Sequence, residues 1–135
     1  MKTIPPIQKD MTTTPLTIHR DSTLDEAFKE MKSHQIRHLP VMDGSEILGI
    51  ISERDIMVAE ALNNVDPSKV KAGDIAKTET YKVPPDMPTD EVVLEMAANK
   101  YGSALIVQNN KLVGIFTTVD ALTAFAEVLE NYRGK

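Results

Sequence analysis

The sequence has no cysteine and no tryptophan, and only 4% of its residues are aromatic. Without cysteine there is no disulfide framework, no thiolate metal site and no cysteine nucleophile. With so few rings, the core must be built from Ile, Val, Leu, Met and Ala. A basic cluster is also missing: 15 Lys and Arg stand against 20 Asp and Glu, for a net charge of −5. A nucleic-acid binder normally presents a basic face, so nucleic acid is not expected as a partner, and any anion must be held by local groups. No stretch approaches the roughly 18 apolar residues of a membrane span. The opening Met1-Lys2-Thr3-Ile4-Pro5-Pro6 is not followed by the apolar run of a signal peptide. No membrane contact is expected, and the expected location is the cytoplasm. There is no Gly-rich phosphate loop.

What is present is a duplication. The chain has 135 residues, 41% of them apolar, enough for one compact domain or two small fused units. A shift of 65 residues carries Thr23-Leu24-Asp25-Glu26-Ala27 onto Pro88-Thr89-Asp90-Glu91-Val92 and Glu30-Met31 onto Glu95-Met96. The same shift carries Leu39-Pro40-Val41-Met42 onto Ala104-Leu105-Ile106-Val107, and Ile47-Leu48-Gly49-Ile50-Ile51-Ser52 onto Leu112-Val113-Gly114-Ile115-Phe116-Thr117. Asp55 falls on Asp120, and no gap is needed. Internal repeats of this kind decide the architecture before any other signal. The register divides the chain into repeat 1, residues 1–70 with its N-terminal lead, and repeat 2, residues 71–135.

Each repeat reads as extended segment, helix, strand, strand, helix. In repeat 1, Pro15 to Ile18 is extended, and Thr23 stands three residues before Glu26, a capping-box signature. Leu24, Ala27, Phe28 and Met31 follow at helical spacing. Leu39 to Met42 is a short buried strand, Asp43-Gly44 turns the chain, and Ile47 to Ile51 returns it. A second helix is predicted from about Glu53 to Leu62, with Asn63 to Gly73 as the connection. Repeat 2 has Asn109-Asn110 at its turn, a last helix from about Thr118 to Tyr132, and Pro88 as a first-turn proline in place of Thr23. The fold class is α+β: two β-α-β-β-α repeats packed sheet to sheet with pseudo-twofold symmetry.

The motif His34-Gln35-Ile36-Arg37-His38-Leu39-Pro40-Val41, followed by Leu48-Gly49-Ile50-Ile51-Ser52-Glu53-Arg54-Asp55, resembles the signature of the CBS-domain family, named for cystathionine β-synthase. Repeat 2 matches less fully through Tyr101 to Val107 and Val113 to Asp120, with Leu105 in place of the proline. The resemblance covers nearly the whole chain. It implies a Bateman module, the tandem pair of such repeats, with a regulatory role and no chemistry on its ligand. That ligand would be an adenine nucleotide (AMP, ADP or ATP) or an S-adenosyl compound, bound in the clefts between repeats.

By the same resemblance the ribose contacts are Asp55 with Ser52 and Asp120 with Thr117. A carboxylate can accept both ribose hydroxyls, and a helix start offers N–H groups to phosphate. Ser52-x-x-Asp55 and Thr117-x-x-Asp120 read equally as capping boxes, and the two roles are compatible. The base pocket would use Leu16, Thr17, Ile18, Ile36, Arg37 and His38 in one cleft, and Tyr81, Lys82, Val83, Tyr101, Gly102 and Ser103 in the other. Ile36 and Tyr101 serve as well for plain core packing. Arg37, His38 and Arg54 are the phosphate candidates. Their counterparts are Gly102, Ser103 and Val119, so the two clefts are chemically unequal.

His34 and His38 stand four apart, as helical metal ligands do, but the helix should end near His34 and there is no obvious third ligand, so no metal is expected. Asp25-Glu26 and Asp90-Glu91 complement helix dipoles. A homodimer is expected, because Leu122, Phe125, Ala126 and Leu129, together with Ile56, Met57 and Ala61, form apolar stripes that one chain does not obviously cover. An effector protein is a further partner to consider. Two other classes compete: a ligand-free interaction or dimerisation module of the same fold, and a nucleotide-acting enzyme. The last lacks a recognisable base or metal.

Overall fold

The elements run α1 (Ile7–Asp10), β1 (Thr12–Thr13), β2 (Ile18–His19), α2 (Leu24–His34), β3 (His38–Asp43), β4 (Glu46–Ser52), α3 (Glu53–Asn63), α4 (Ala72–Ile75), β5 (Lys82–Val83), α5 (Thr89–Asn99), β6 (Ser103–Gln108), β7 (Lys111–Thr117) and α6 (Thr118–Arg133). They come from a computed structural model, which describes residues 3–134, the side chain of Asn63 excepted. Local chemistry accounts for most of these boundaries. At the start of α2, Thr23 Oγ1 accepts the Glu26 N–H at 3.2 Å, and Glu26 Oε1 accepts the Thr23 N–H at 3.1 Å. Gln35 closes the helix in the left-handed region at φ 54°. Leu24, Ala27 and Met31 form its buried stripe. The β3–β4 hairpin turns at Gly44, φ 61°, and β6–β7 turns at Asn109 and Asn110, φ 53° and 63°. Each hairpin breaks register at equivalent places, Val41/Met42 and Ile106/Val107.

By compactness the chain forms two units. One spans Leu16–Thr80; the other combines the residues up to Pro15 with those from Tyr81 onward. The first unit holds the three-stranded sheet β2-β3-β4, with β2 parallel and β4 antiparallel to β3. Its core is Ile18, Leu24, Ala27, Met31, Leu39, Val41, Ile51, Ile56 and Ala72. The second unit holds the four-stranded sheet β1-β7-β6-β5 over a core of Ile7, Val83, Val92, Met96, Ala104, Ile106 and Phe116. The mixed α+β class is thus present, with one sheet per unit.

These units do not follow the 70/71 boundary drawn from the repeat register. The residues ahead of each repeat body pack on the body of the other repeat. Lys77 and Ile50 exchange backbone hydrogen bonds at 2.9 and 3.0 Å, beside β4. At the equivalent place, Thr12 pairs with Ile115 of β7. The bridge Thr23–Lys71 has its counterpart in Pro6–Pro88. Gly49 is needed for this approach: a Cβ there would overlap the Lys77 carbonyl oxygen and lie 2.9 Å from its carbon. At Gly114 the crowding atoms belong to the Met11 side chain.

Three expectations are corrected. The connection predicted over Asn63 to Gly73 is shorter, because α3 runs through Asn63 and α4 forms at Ala72–Ile75, with Ala72 buried in the core. Pro88 is not in the first turn of α5; it precedes the helix as its N-cap, at φ −60°, ψ 136°. A proline there fixes φ without removing a needed helical N–H. Ile56 belongs to the core rather than to an exposed stripe. Its position one turn into α3 faces back onto β4, whereas Met57 and Val58 are exposed.

Candidate functional site

In both units the junction between the second hairpin strand and the helix that follows it, β4–α3 and β7–α6, fixes an aspartate. At the first, Ser52 Oγ accepts the Asp55 N–H and Asp55 Oδ2 accepts the Ser52 N–H, both at 3.0 Å. The capping box holds the carboxylate in one orientation at the helix start and leaves Oδ1 for another donor. Lys77 faces that oxygen as an ion pair, with Nζ 3.5 Å from Asp55 Oδ1. Asp55 is largely covered, with its side chain 17% exposed. At the second junction, the Thr117 N–H donates to Asp120 Oδ2 at 2.9 Å, and the Thr117 hydroxyl donates to the same oxygen at 3.3 Å. Thr12 Oγ1 donates to Asp120 Oδ1 at 3.3 Å.

The first strand of each hairpin brings further candidates to these junctions. His38 sits opposite Ser52, and Ser103 opposite Thr117. The Glu53 N–H donates to the Arg37 carbonyl at 2.9 Å, and the Thr118 N–H donates to the Gly102 carbonyl at 3.3 Å. Burial holds the His38 imidazole below its ordinary range; the Asp55 carboxylate pulls it up, and the Arg37 and Lys77 cations push it further down. His38, Arg37, Lys77 and Asp55 are therefore close enough to share one electrostatic environment. The Arg37 and Arg54 side chains are exposed.

The expected base-pocket residues divide. Ile18 is in the core, and Leu16 and Ile36 pack partly buried against it. Thr17 is exposed, and with Ile18, His19, Ser22, Glu26 and Lys29 it lines a cavity of about 510 Å³ that Ser52, Arg54 and Asp55 do not line. In the other unit Val83 is core, Lys82 is exposed, and the rings of Tyr81 and Tyr101 stack with centroids 5.3 Å apart at 29°. Burial raises the Tyr81 phenol above its ordinary value, with Glu95 and Glu91 adding to the effect. Tyr101 and Gly102, with Thr118 and Ala121 from the start of α6, line an apolar cavity of about 360 Å³. The substitution of Leu105 for Pro40 also has a consequence: the Leu105 N–H donates to the Tyr81 carbonyl at 2.8 Å, a bond Pro40 cannot offer to Leu16.

Lys77 and Thr12 were not among the residues expected from sequence. The signal that finds them is the same 65-residue shift, extended ahead of Thr23, where it carries Thr12 onto Lys77 and α1 onto α4. His34 closes α2, with Nδ1 at 3.1 Å from the Glu30 carbonyl, and His38 lies on β3, so their spacing spans a helix end. Among the described residues no group of three His, Asp or Glu is placed to hold a metal.

The same β-α frame occurs twice in the chain, and a family model matches both copies. The CBS domain model matches residues 7–61 and 72–127. The chain belongs to the CBS domain family. A CBS pair is a regulatory module, and the two matches begin 65 residues apart, at the repeat shift. Among curated proteins, hypoxic response protein 1 of Mycobacterium tuberculosis is 28% identical over 99 residues, 73% of this chain and 69% of that protein. Among solved structures, AcuB of Vibrio cholerae, provisionally assigned to acetoin utilization, superposes with a TM-score of 0.87 at 28% identity, covering 98% of each chain. The CBS domain pair of protein MJ0100, solved in complex with 5′-methylthioadenosine and S-adenosyl-L-methionine, gives a TM-score of 0.83 at 28% identity, covering 93% of this chain and 98% of that one. Among the described residues no helix is long and apolar enough to cross a membrane.

Proposed function

We propose that this CBS pair is a regulatory module that binds an adenine nucleotide or an S-adenosyl compound at the Asp55 and Asp120 junctions and performs no chemistry on it. The observation that carries the reading is the pair of pinned carboxylates. Each turns Oδ1 toward an exchangeable side-chain partner, the Lys77 ammonium or the Thr12 hydroxyl, which ribose hydroxyls can replace. Ser52 and Thr117 hold the orientation, Arg54, Arg37 and His38 supply phosphate contacts at the first junction, and Tyr101 with Tyr81 forms the apolar wall at the second. The adenosyl ligands of the MJ0100 pair support an adenosyl ligand here. The cytoplasm is the compartment that fits such a sensor, and an effector protein would read its state.

The test is calorimetric titration with AMP, ADP, ATP, S-adenosylmethionine and GTP. A ligand at about one hundred times its dissociation constant should stabilise the fold by about 2.7 kcal/mol. Asp55→Ala should abolish tight nucleotide binding, and Asp120→Ala should leave it largely intact. Absence of binding by every adenine compound at millimolar concentration would instead favour a ligand-free association module. That second reading draws on α6, a 16-residue helix with no buried residue. The same exposure supports a homodimer in either case.

A further inference from the structure

The exchanged segments place different chemistry beside two otherwise equivalent carboxylates. Asp55 faces the Lys77 ammonium at 3.5 Å, whereas Asp120 faces the Thr12 hydroxyl at 3.3 Å. Lys77 forms an ion pair with Asp55, Arg37 and Lys77 both act on His38 in the strand opposite Ser52, and Arg54 directly precedes Asp55 in the chain. The positions equivalent to those cations hold Thr12, Val119 and Gly102, none of which carries a charge. Neighbouring charges do not reverse the contrast. Glu53 at the first junction is paired with Lys32 at 3.5 Å. Lys100 lines the cavity beside the start of α6, and Glu95 and Glu91 act on Tyr81, which stacks on Tyr101 in that cavity's wall.

We propose that the two junctions sort adenine ligands by charge: the Asp55 junction takes a phosphorylated ligand, and the Asp120 junction takes an adenosyl compound without phosphate, neutral or cationic. The inference rests on the ligand-binding reading above and adds Lys77 as its specificity residue. Before binding, Lys77 occupies the carboxylate oxygen that the ribose needs. A ligand without phosphate must displace that ammonium and offers it no new anion. A phosphorylated ligand displaces it and receives it, because the ammonium moves from carboxylate to phosphate. Thr12 presents a lower barrier, since its hydroxyl carries no charge of its own and can re-form its hydrogen bond with water or with the ribose.

The test uses the full chain with one junction disabled at a time. In the Asp120→Ala background, AMP should bind more tightly than adenosine by at least about tenfold, the scale of one charge-assisted hydrogen bond. The preference should weaken with added salt as screening rises. Lys77→Thr, which installs the residue type found at the equivalent position, should narrow the gap by about tenfold, and Lys77→Arg should restore it. In the Asp55→Ala background, adenosine and S-adenosylmethionine should bind more tightly than AMP, and Thr12→Lys should reverse that order. Equal losses of AMP and adenosine affinity on Lys77→Thr, or no change in either, would overturn the sorting while leaving the ligand reading in place. No heat from any of the three compounds with the unmodified chain would overturn both. Should Lys77→Thr fail to fold by circular dichroism, the Thr12→Lys arm decides: no gain of AMP binding refutes the proposal.

Discussion

Replacing Gly49 by alanine should damage the fold much more than the same change at Gly114, although the two positions are equivalent by repeat. The added methyl at position 49 meets backbone: it would overlap the Lys77 carbonyl oxygen, with the carbonyl carbon at 2.9 Å and Thr78 Cα at 3.4 Å. That carbonyl cannot retreat freely, because it accepts the Ile50 N–H at 3.0 Å while the Lys77 N–H donates to Ile50 at 2.9 Å. Overpacking a tight site costs about 1–3 kcal/mol, and loosening two backbone hydrogen bonds adds about 1 kcal/mol each. The expected loss for Gly49→Ala is therefore about 3–5 kcal/mol, or roughly 10–20 °C in melting temperature for a chain of this size. At Gly114 the obstacle is the Met11 side chain, a flexible thioether that can rotate away, so the loss should stay below about 1 kcal/mol. Thermal melts followed by circular dichroism compare the two directly. Gly49→Ala should also free Asp55 from Lys77 and change the AMP affinity of that junction. Equal melting temperatures for the two variants would refute the claim that the exchanged segment is seated through backbone contact at Gly49.

Two other outcomes follow from the geometry. His38 is held below its ordinary range by burial, so the unfolded chain takes up that proton first as pH falls. Its contribution to stability is complete above the unfolded value of roughly 6.5 and is lost as pH drops through the window beneath it. Melting temperature should fall through that window for the unmodified chain and fall less for His38→Gln; identical pH profiles would exclude the histidine. On α6, Leu122 and Phe125 are 66% and 57% exposed, and Leu122→Glu with Phe125→Glu should convert a dimer into a monomer in light scattering at tens of micromolar. An unmodified chain that scatters as a monomer at that concentration would refute the homodimer.

The sequence determined by itself whatever depends on neighbours a few residues apart. The Thr23–Glu26 box, the Leu24, Ala27 and Met31 stripe, the Gly44 and Asn109-Asn110 turns and the Ser52–Asp55 junction are all spacings of a few residues. Each is decided by helix or strand geometry that local chemistry enforces. The 65-residue shift added the duplication, and with it the equivalence of Asp55 and Asp120. Short elements such as α1, β1 and α4 carry too few residues for a periodic signal; they exist because Ile7 and Ala72 bury in cores assembled from distant segments. Ile56 could not be told from its exposed neighbours Met57 and Val58, because an apolar run shows no face until the helix has something to pack on. Only the tertiary structure decided that the segments ahead of the two repeats exchange places. Such pairing is fixed by complementarity between residues far apart in the chain: a glycine that admits a backbone, a carboxylate that meets Lys77 in one unit and Thr12 in the other.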